Sequence, residues 1–179
     1  MPDDRYGNLS QIGVSQCTGN ALNATVSTST NQMTNIASST PPYDSNGNMT
    51  YDVNYNYTFD AENRITQASG MTGGPYCYIY DGNGFRVEKF HANGGTCASP
   101  TNKVVDTLYW RMLSGAALAE TDGSGTTQME YVFFSGQRIA QVNFNGNVYY
   151  YYSDQLGSTV AMANGSGNSC YQATFTPRR

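Results

Sequence analysis

The 179 residues carry few charges, 12% of the chain, against 13% aromatics, with fifteen Tyr and nineteen Gly; that balance fits one domain with a core and excludes a disordered polymer. A net charge of −4 with scattered Lys and Arg leaves no basic footprint for nucleic acid. No apolar run approaches the roughly 18 residues of a membrane helix.

Met1-Pro2-Asp3-Asp4-Arg5 lacks the basic-then-apolar build of a signal peptide, so an export address is expected on a longer parent or another system. Next, Asp4-Arg5-Tyr6-Gly7 opens a series of turns with Asp three places before Gly or Asn. Residues 15–42 are Ser/Thr/Asn-rich, have only Cys17, Leu22, Val26, Met33 and Ile36 to bury, and end at Pro41-Pro42. They read either as two weak strands, with Asn31-Gln32-Met33-Thr34 as a worn turn, or as a long surface loop.

Further copies of the turn are Asp44-Ser45-Asn46-Gly47, Asp60-Ala61-Glu62-Asn63, Asp81-Gly82-Asn83-Gly84, Asp122-Gly123-Ser124-Gly125 and Asp154-Gln155-Leu156-Gly157. A degenerate copy is Asn164-Gly165-Ser166-Gly167. An Asp at the first turn position can bond downstream backbone N–H groups, and Gly or Asn at the fourth tolerates left-handed backbone. A β-branched or apolar residue such as Met49, Ile65, Val87 or Val160 then restarts the strand. The steps 44 to 60 and 60 to 81 set a unit of two short strands and their turns. The steps 4 to 44 and 81 to 122 are about twice as long and are expected to hide a worn turn.

Between the turns, 51–59 alternates without a break, with Tyr51, Val53, Tyr55, Tyr57 and Phe59 against polar Asp52, Asn54, Asn56 and Thr58, which predicts one strand. Further strands are predicted at 76–80, 85–90, 104–112, 128–134, 138–144 and 148–152. Residues 115–120 are the one helix-tolerant patch and are too short to hold a helix. Residues 91–102 read as a polar loop.

The cysteines, Cys17, Cys77, Cys97 and Cys170, are too widely spaced for a metal site, and the lone His91 cannot complete one. Cys77 and Cys97 are the candidate disulfide, on condition that the 91–102 loop folds back, since a plain meander sets them two strands apart; the alternative is four buried thiols. With one His and no partnered nucleophile, triad chemistry has no base. The repeated Asp residues are better explained as turn caps than as a glycosidase pair, and Asp122-Gly123-Ser124-Gly125 lacks the acidic run of a calcium loop. Gly82-Asn83-Gly84 precedes a strand, which argues against a phosphate loop. The Tyr ladders at 149–152 and 51–57 read as cross-strand packing, with sugar or protein stacking as the other option.

Tyr43-Asp44-x-x-Gly47-Asn48-Met49-Thr50, Tyr57-Thr58-Phe59-Asp60-Ala61-Glu62-Asn63-Arg64-Ile65-Thr66 and Tyr78-Ile79-Tyr80-Asp81-x-x-Gly84-x-Arg86-Val87 resemble the YD repeats of the Rhs family. That family includes polymorphic-toxin shells, insecticidal toxin-complex shells and teneurins. Ala119 to Asp122, 131–142 and Tyr150-Tyr151-Tyr152-Ser153-Asp154-Gln155-Leu156-Gly157-Ser158-Thr159 resemble the segment leading into the Rhs-associated core. The resemblance spans about residues 3–175.

It implies an all-β fold of antiparallel hairpins in a curled, spiralling sheet, part of a shell wall. It divides the chain into a first turn (1–14), a polar segment (15–42), YD repeats (43–145) and the truncated start of the core (146–179), within one structural domain. The family's self-cleavage motif and effector have no counterpart up to Phe175-Thr176-Pro177-Arg178-Arg179. The implied function is a non-catalytic scaffold, secreted or at a bacterial cell surface, with no enzyme activity, cofactor or metal. Its partners would be other repeats of a parent, copies of itself, a toxin domain, a glycan or a receptor. The alternatives are a self-assembling extracellular fibre and a glycan- or receptor-binding module. The site residues are the turn positions Asp44, Gly47, Asp60, Asn63, Asp81, Gly84, Asp122, Gly125, Asp154 and Gly157, with Cys77 and Cys97.

Overall fold

The structure, a computed structural model, describes residues 11–12, 22–36, 39–70 and 74–172. The turn at Asp4 to Gly7, Cys17 and the final Arg pair lie outside these residues. Among the described residues there is no helix. The strands are β1 (Gln11–Ile12), β2 (Leu22–Val26), β3 (Met33–Ile36), β4 (Asn56–Phe59), β5 (Ile65–Ser69), β6 (Tyr76–Tyr80) and β7 (Arg86–Ala92). They continue as β8 (Lys103–Arg111), β9 (Ala117–Thr121), β10 (Thr127–Phe134), β11 (Gln137–Asn143), β12 (Val148–Ser153), β13 (Thr159–Asn164) and β14 (Ser169–Gln172). The first three form one small sheet, and the other eleven follow in order from β4 to β14 in a second. Each neighbour in space is the neighbour in sequence, as short antiparallel hairpins require.

Contacts group the chain into two compact units: one up to residue 77 with 91–102, the other 78–90 with the chain from 103 onward. In the first, β2 and β3 form a hairpin, pairing Ala24 with Ile36 and Val26 with Met33. β4 pairs β5, and β5 pairs β6, so that Ala68 lies between Tyr57 and Tyr76. The second unit repeats that device: Tyr150 lies between Ala140 and Ala163. Ala68, Ala140 and Ala163 are buried, while Tyr150 is 47% exposed. A large ring laid over a small neighbour's Cβ and backbone shields both from water. It accounts for the burial of Ala68, Ala140 and Ala163, three of the six alanines among the eight buried hydrophobic residues described.

Two sequence expectations change. The alternating run 51–59 is not one strand. Tyr51 bridges to Asn56, and the chain reverses through Asp52 to Tyr55, with Val53 at φ 84°. The Asp52 carboxylate accepts the N–H groups of Asn54 and Tyr55 at 3.1 and 2.8 Å and the Tyr57 hydroxyl at 2.6 Å. Those three bonds hold a β-branched residue in backbone it otherwise avoids. The turn placed at 31–34 lies earlier, where Asn31 N–H donates to the Ser27 carbonyl and the Ser27 hydroxyl accepts from Thr30 N–H. The patch 115–120, too short for a helix, contributes β9, where Tyr109 pairs with Glu120 and Trp110 with Ala119.

Candidate functional site

Eight turns among the described residues share one backbone pattern, starting at residues 44, 60, 81, 112, 122, 143, 154 and 164. In each, the fourth residue donates its N–H to the first carbonyl, and the first donates to the carbonyl of the fifth. The fourth residues Gly47, Asn63, Gly84, Gly115, Gly125, Gly146, Gly157 and Gly167 have φ from 61° to 88°. The first side chain caps seven of the eight. Asp44 accepts N–H groups from Asn46 and Asn48, Asp60 from Glu62 and Arg64, and Asp81 from Asn83 and Phe85. Asp122 accepts from Ser124 and Thr126, and Asp154 from Leu156 and Ser158, all at 2.8–2.9 Å. Asn143 and Asn164 make the same pair of bonds at 2.9–3.1 Å.

Each carboxylate thus replaces water for two turn amides, and at Asp44, Asp60 and Asp122 the bonds favour the charged form. Asn48, through its side-chain amide, holds Asp44 below the usual carboxylate range. The Arg64 N–H does so for Asp60, and the Ser124 hydroxyl for Asp122. The turns also bond each other: the Asn48 amide donates to Asn63 Oδ1 at 2.8 Å. Arg64 closes that corner with Asp60 at 2.7 Å and Glu62 at 2.9 Å.

Two of these turns escape an Asp-based reading. Asn143-Phe144-Asn145-Gly146 substitutes an amide for the carboxylate, and the Asn-x-x-Gly spacing was its available signal. Met112-Leu113-Ser114-Gly115 has no capping side chain and is held from outside: Arg111 donates to the Gly115 carbonyl at 2.7 Å and the Arg86 carbonyl at 2.8 Å.

One face of the second unit carries a row of arginines against aromatic rings, which the turn pattern does not reveal. The Arg86 guanidinium lies 4.2 Å from the Tyr78 ring centroid, Arg111 5.4 Å from Tyr109, and Arg138 4.0 Å from Tyr131. Register pairs place Tyr109, Glu120, Met129, Tyr131, Gln141, Tyr149 and Tyr151 on this face. Tyr131 donates to Glu120 at 2.7 Å, and Tyr151 bonds Gln141. Burial, reinforced by the Glu120 carboxylate, pushes the Tyr131 phenol well above its ordinary range. A guanidinium over a ring keeps its charge while covering apolar surface.

In the first unit Cys77 and Cys97 form a disulfide, with Cα atoms 5.6 Å apart. Residues 93–102 fold back on themselves: Asn93 N–H donates to the Asn102 carbonyl and Thr101 N–H to the Gly94 carbonyl. That reversal carries Cys97 over to β6. Cys170, on β14, is an exposed free thiol. Among the described residues no cluster of His, Cys, Asp or Glu is arranged to hold a metal ion.

No protein-family model and no curated protein matches the chain. Solved structures do. The crystal structure of TcdB2-TccC3-TEV superimposes with a TM-score of 0.55 at 15% identity over 88% of this chain and 8% of that one. The Photorhabdus luminescens Tc holotoxin pore with mutant TccC3 gives 0.56 at 16% over 98% and 9%. TcdB2-TccC3-Cdc42 gives 0.58 at 18% over 94% and 9%. The chain spans about a tenth of those chains or less. At such identity the likeness establishes the fold alone: an all-β sheet of consecutive antiparallel hairpins like that in the Tc toxin chains.

Proposed function

We propose that this chain is a non-catalytic structural scaffold, a stretch of wall of the kind that Rhs shells build around a secreted toxin or display at a cell surface. The observation that carries the reading is the set of identical turns. The same backbone pattern recurs at eight positions with changing strand sequences between them, so the feature held constant is geometry and not a reactive group. The likeness to Tc toxin chains supports it at the level of fold. In this role the turn positions set strand spacing, the Cys77–Cys97 bridge fixes the 93–102 loop, and the partners are neighbouring repeats or a toxin domain of a larger assembly.

A specific observation favours the fibre reading as the second. β14 ends the strand order, pairs only with β13 among the described residues, and carries no charge in Ser169-Cys170-Tyr171-Gln172. Such an edge accepts another strand readily. Light scattering with negative-stain images of the purified chain tests both. Wall building or fibre growth predicts species well above the 19.5 kDa chain mass, with ordered edges in the images. A stable monomer at all concentrations removes both and leaves a binding module.

A further inference from the structure

β11 and β12 part company before either strand ends. Their register pairs run from Val142/Val148 to Ala140/Tyr150, yet β11 begins at Gln137 and β12 continues to Ser153. The gap is a recess of about 390 Å³, within the size range of small-molecule sites. It is lined by Arg138, Gln137, Ser153 and Thr159 between the rings of Phe133 and Tyr151. Ser153 and Thr159 face each other across β12 and β13, and Arg138 faces Phe133 across β10 and β11.

The polar groups here are unspent. The Arg138 guanidinium lies between rings, 4.0 Å from the centroid of Tyr131, 5.7 Å from Phe133 and 5.9 Å from Tyr151. It makes no hydrogen bond or ion pair among the described residues, unlike Arg64 and Arg111, which are paired. The Gln137 amide and the Ser153 and Thr159 hydroxyls likewise have no partner among the described residues. The exposed Arg138 guanidinium lies over rings, and its free N–H fork matches a carboxylate through two parallel bonds. Hydroxyls and an amide that both donate and accept match sugar hydroxyls, which an acidic side chain does not offer.

We infer that this recess binds a carboxylate-bearing sugar unit, with Arg138 forking its carboxylate, Ser153, Thr159 and Gln137 taking its ring hydroxyls, and Tyr151 or Phe133 against its apolar face. The inference does not rest on the wall reading, since a monomer and a polymer both present the recess.

Affinity electrophoresis of the full chain at about physiological ionic strength, in gels containing polygalacturonate, tests it. The comparison gels contain the methyl-esterified polymer or polyglutamate. The expected result is retardation by polygalacturonate alone, reduced about tenfold or more by Arg138→Gln and to a smaller degree by Arg138→Lys, which keeps charge without the fork. Ser153→Ala combined with Thr159→Val leaves the Arg138–Tyr131 stack untouched and weakens retardation severalfold, which covers the case in which Arg138→Gln disturbs the fold. Absence of retardation, equal retardation by the ester, equal retardation by polyglutamate, or retardation indifferent to both the Arg138 and the hydroxyl variants each overturns the inference.

Discussion

An Asp that begins a turn here acts as a backbone fragment. Its carboxylate takes the place that two carbonyls or two waters would fill, and does so at the one corner where neither sheet partner can reach. Asp81→Ala removes both bonds, to Asn83 and Phe85, and is expected to cost about 1–2 kcal/mol, by analogy with the loss of a helix cap. Asp81→Asn should cost much less, because Asn143 and Asn164 make the same bonds in their own turns. Urea unfolding of the two variants checks the order.

The same carboxylates set an acid limit. The hydrogen bonds to Asp44, Asp60 and Asp122 hold these carboxyls below the ordinary carboxylate range in the folded chain. Folded carboxylates then bind fewer protons than unfolded ones, so their contribution is complete above the unfolded value and is lost as pH falls through the lowered folded values. The urea midpoint should therefore stay level from neutral pH down to about 5 and drop below about 4. A midpoint that rises on acidification would contradict this.

At the scale of the element, the turn is legible wherever its cap is written as Asp or Asn with Gly three places on. It is illegible where another element supplies the hold. Met112-Leu113-Ser114-Gly115 is such a case, because Arg111, the last residue of the strand before it, bonds both the turn and β7. The break at 52–55 was hidden for a different reason: its alternation is perfect for a strand, and only the Asp52 carboxylate, bonding Asn54, Tyr55 and Tyr57, decides for a turn. The arginine row was hidden because it needs the register of at least three strands. Arg86, Arg111 and Arg138 are too far apart in sequence to look related.

Glycine substitutions separate conformation from crowding. Gly125 and Gly115 have nearly the same φ, 88° and 85°, but a Cβ on Gly125 meets nothing within 4 Å, while one on Gly115 would fall within the Phe85 ring. Gly125→Ala is expected to cost about 1–2 kcal/mol from left-handed backbone alone. Gly115→Ala should cost clearly more, since the ring must move, and its thermal midpoint should fall further. In the first unit, the Cys77–Cys97 bridge closes a loop of sequence separation 20, and loop-closure entropy puts its worth near about 3 kcal/mol. Cys97→Ser should lose about that much, with exchange of the 93–102 amides rising first; equal stability with and without reductant would show that the fold-back holds by its own hydrogen bonds.

For the whole molecule, the sheet covers itself with its own side chains. Tyr150 beside Ala140 and Ala163 in one unit, and Tyr57 and Tyr76 beside Ala68 in the other, shield backbone from water. Large side chains such as Trp110, Phe134 and Tyr152 remain 55%, 73% and 53% exposed. Stability in such a structure comes from neighbours along the strand order, and β14 has a partner on one side only among the described residues. Each hairpin along the strand order repeats what β13 does for β14.

The most direct test of this account is hydrogen exchange of the peptide covering β14, Ser169–Gln172, followed across protein concentration by mass spectrometry. If the chain is a scaffold that joins by strand addition, protection there rises with concentration while the β12–β13 ladder stays protected throughout, and Tyr171→Pro, which removes a ladder donor, abolishes the rise. Protection of β14 that is absent or constant at every concentration, in a chain whose mass stays that of a monomer, would contradict the scaffold.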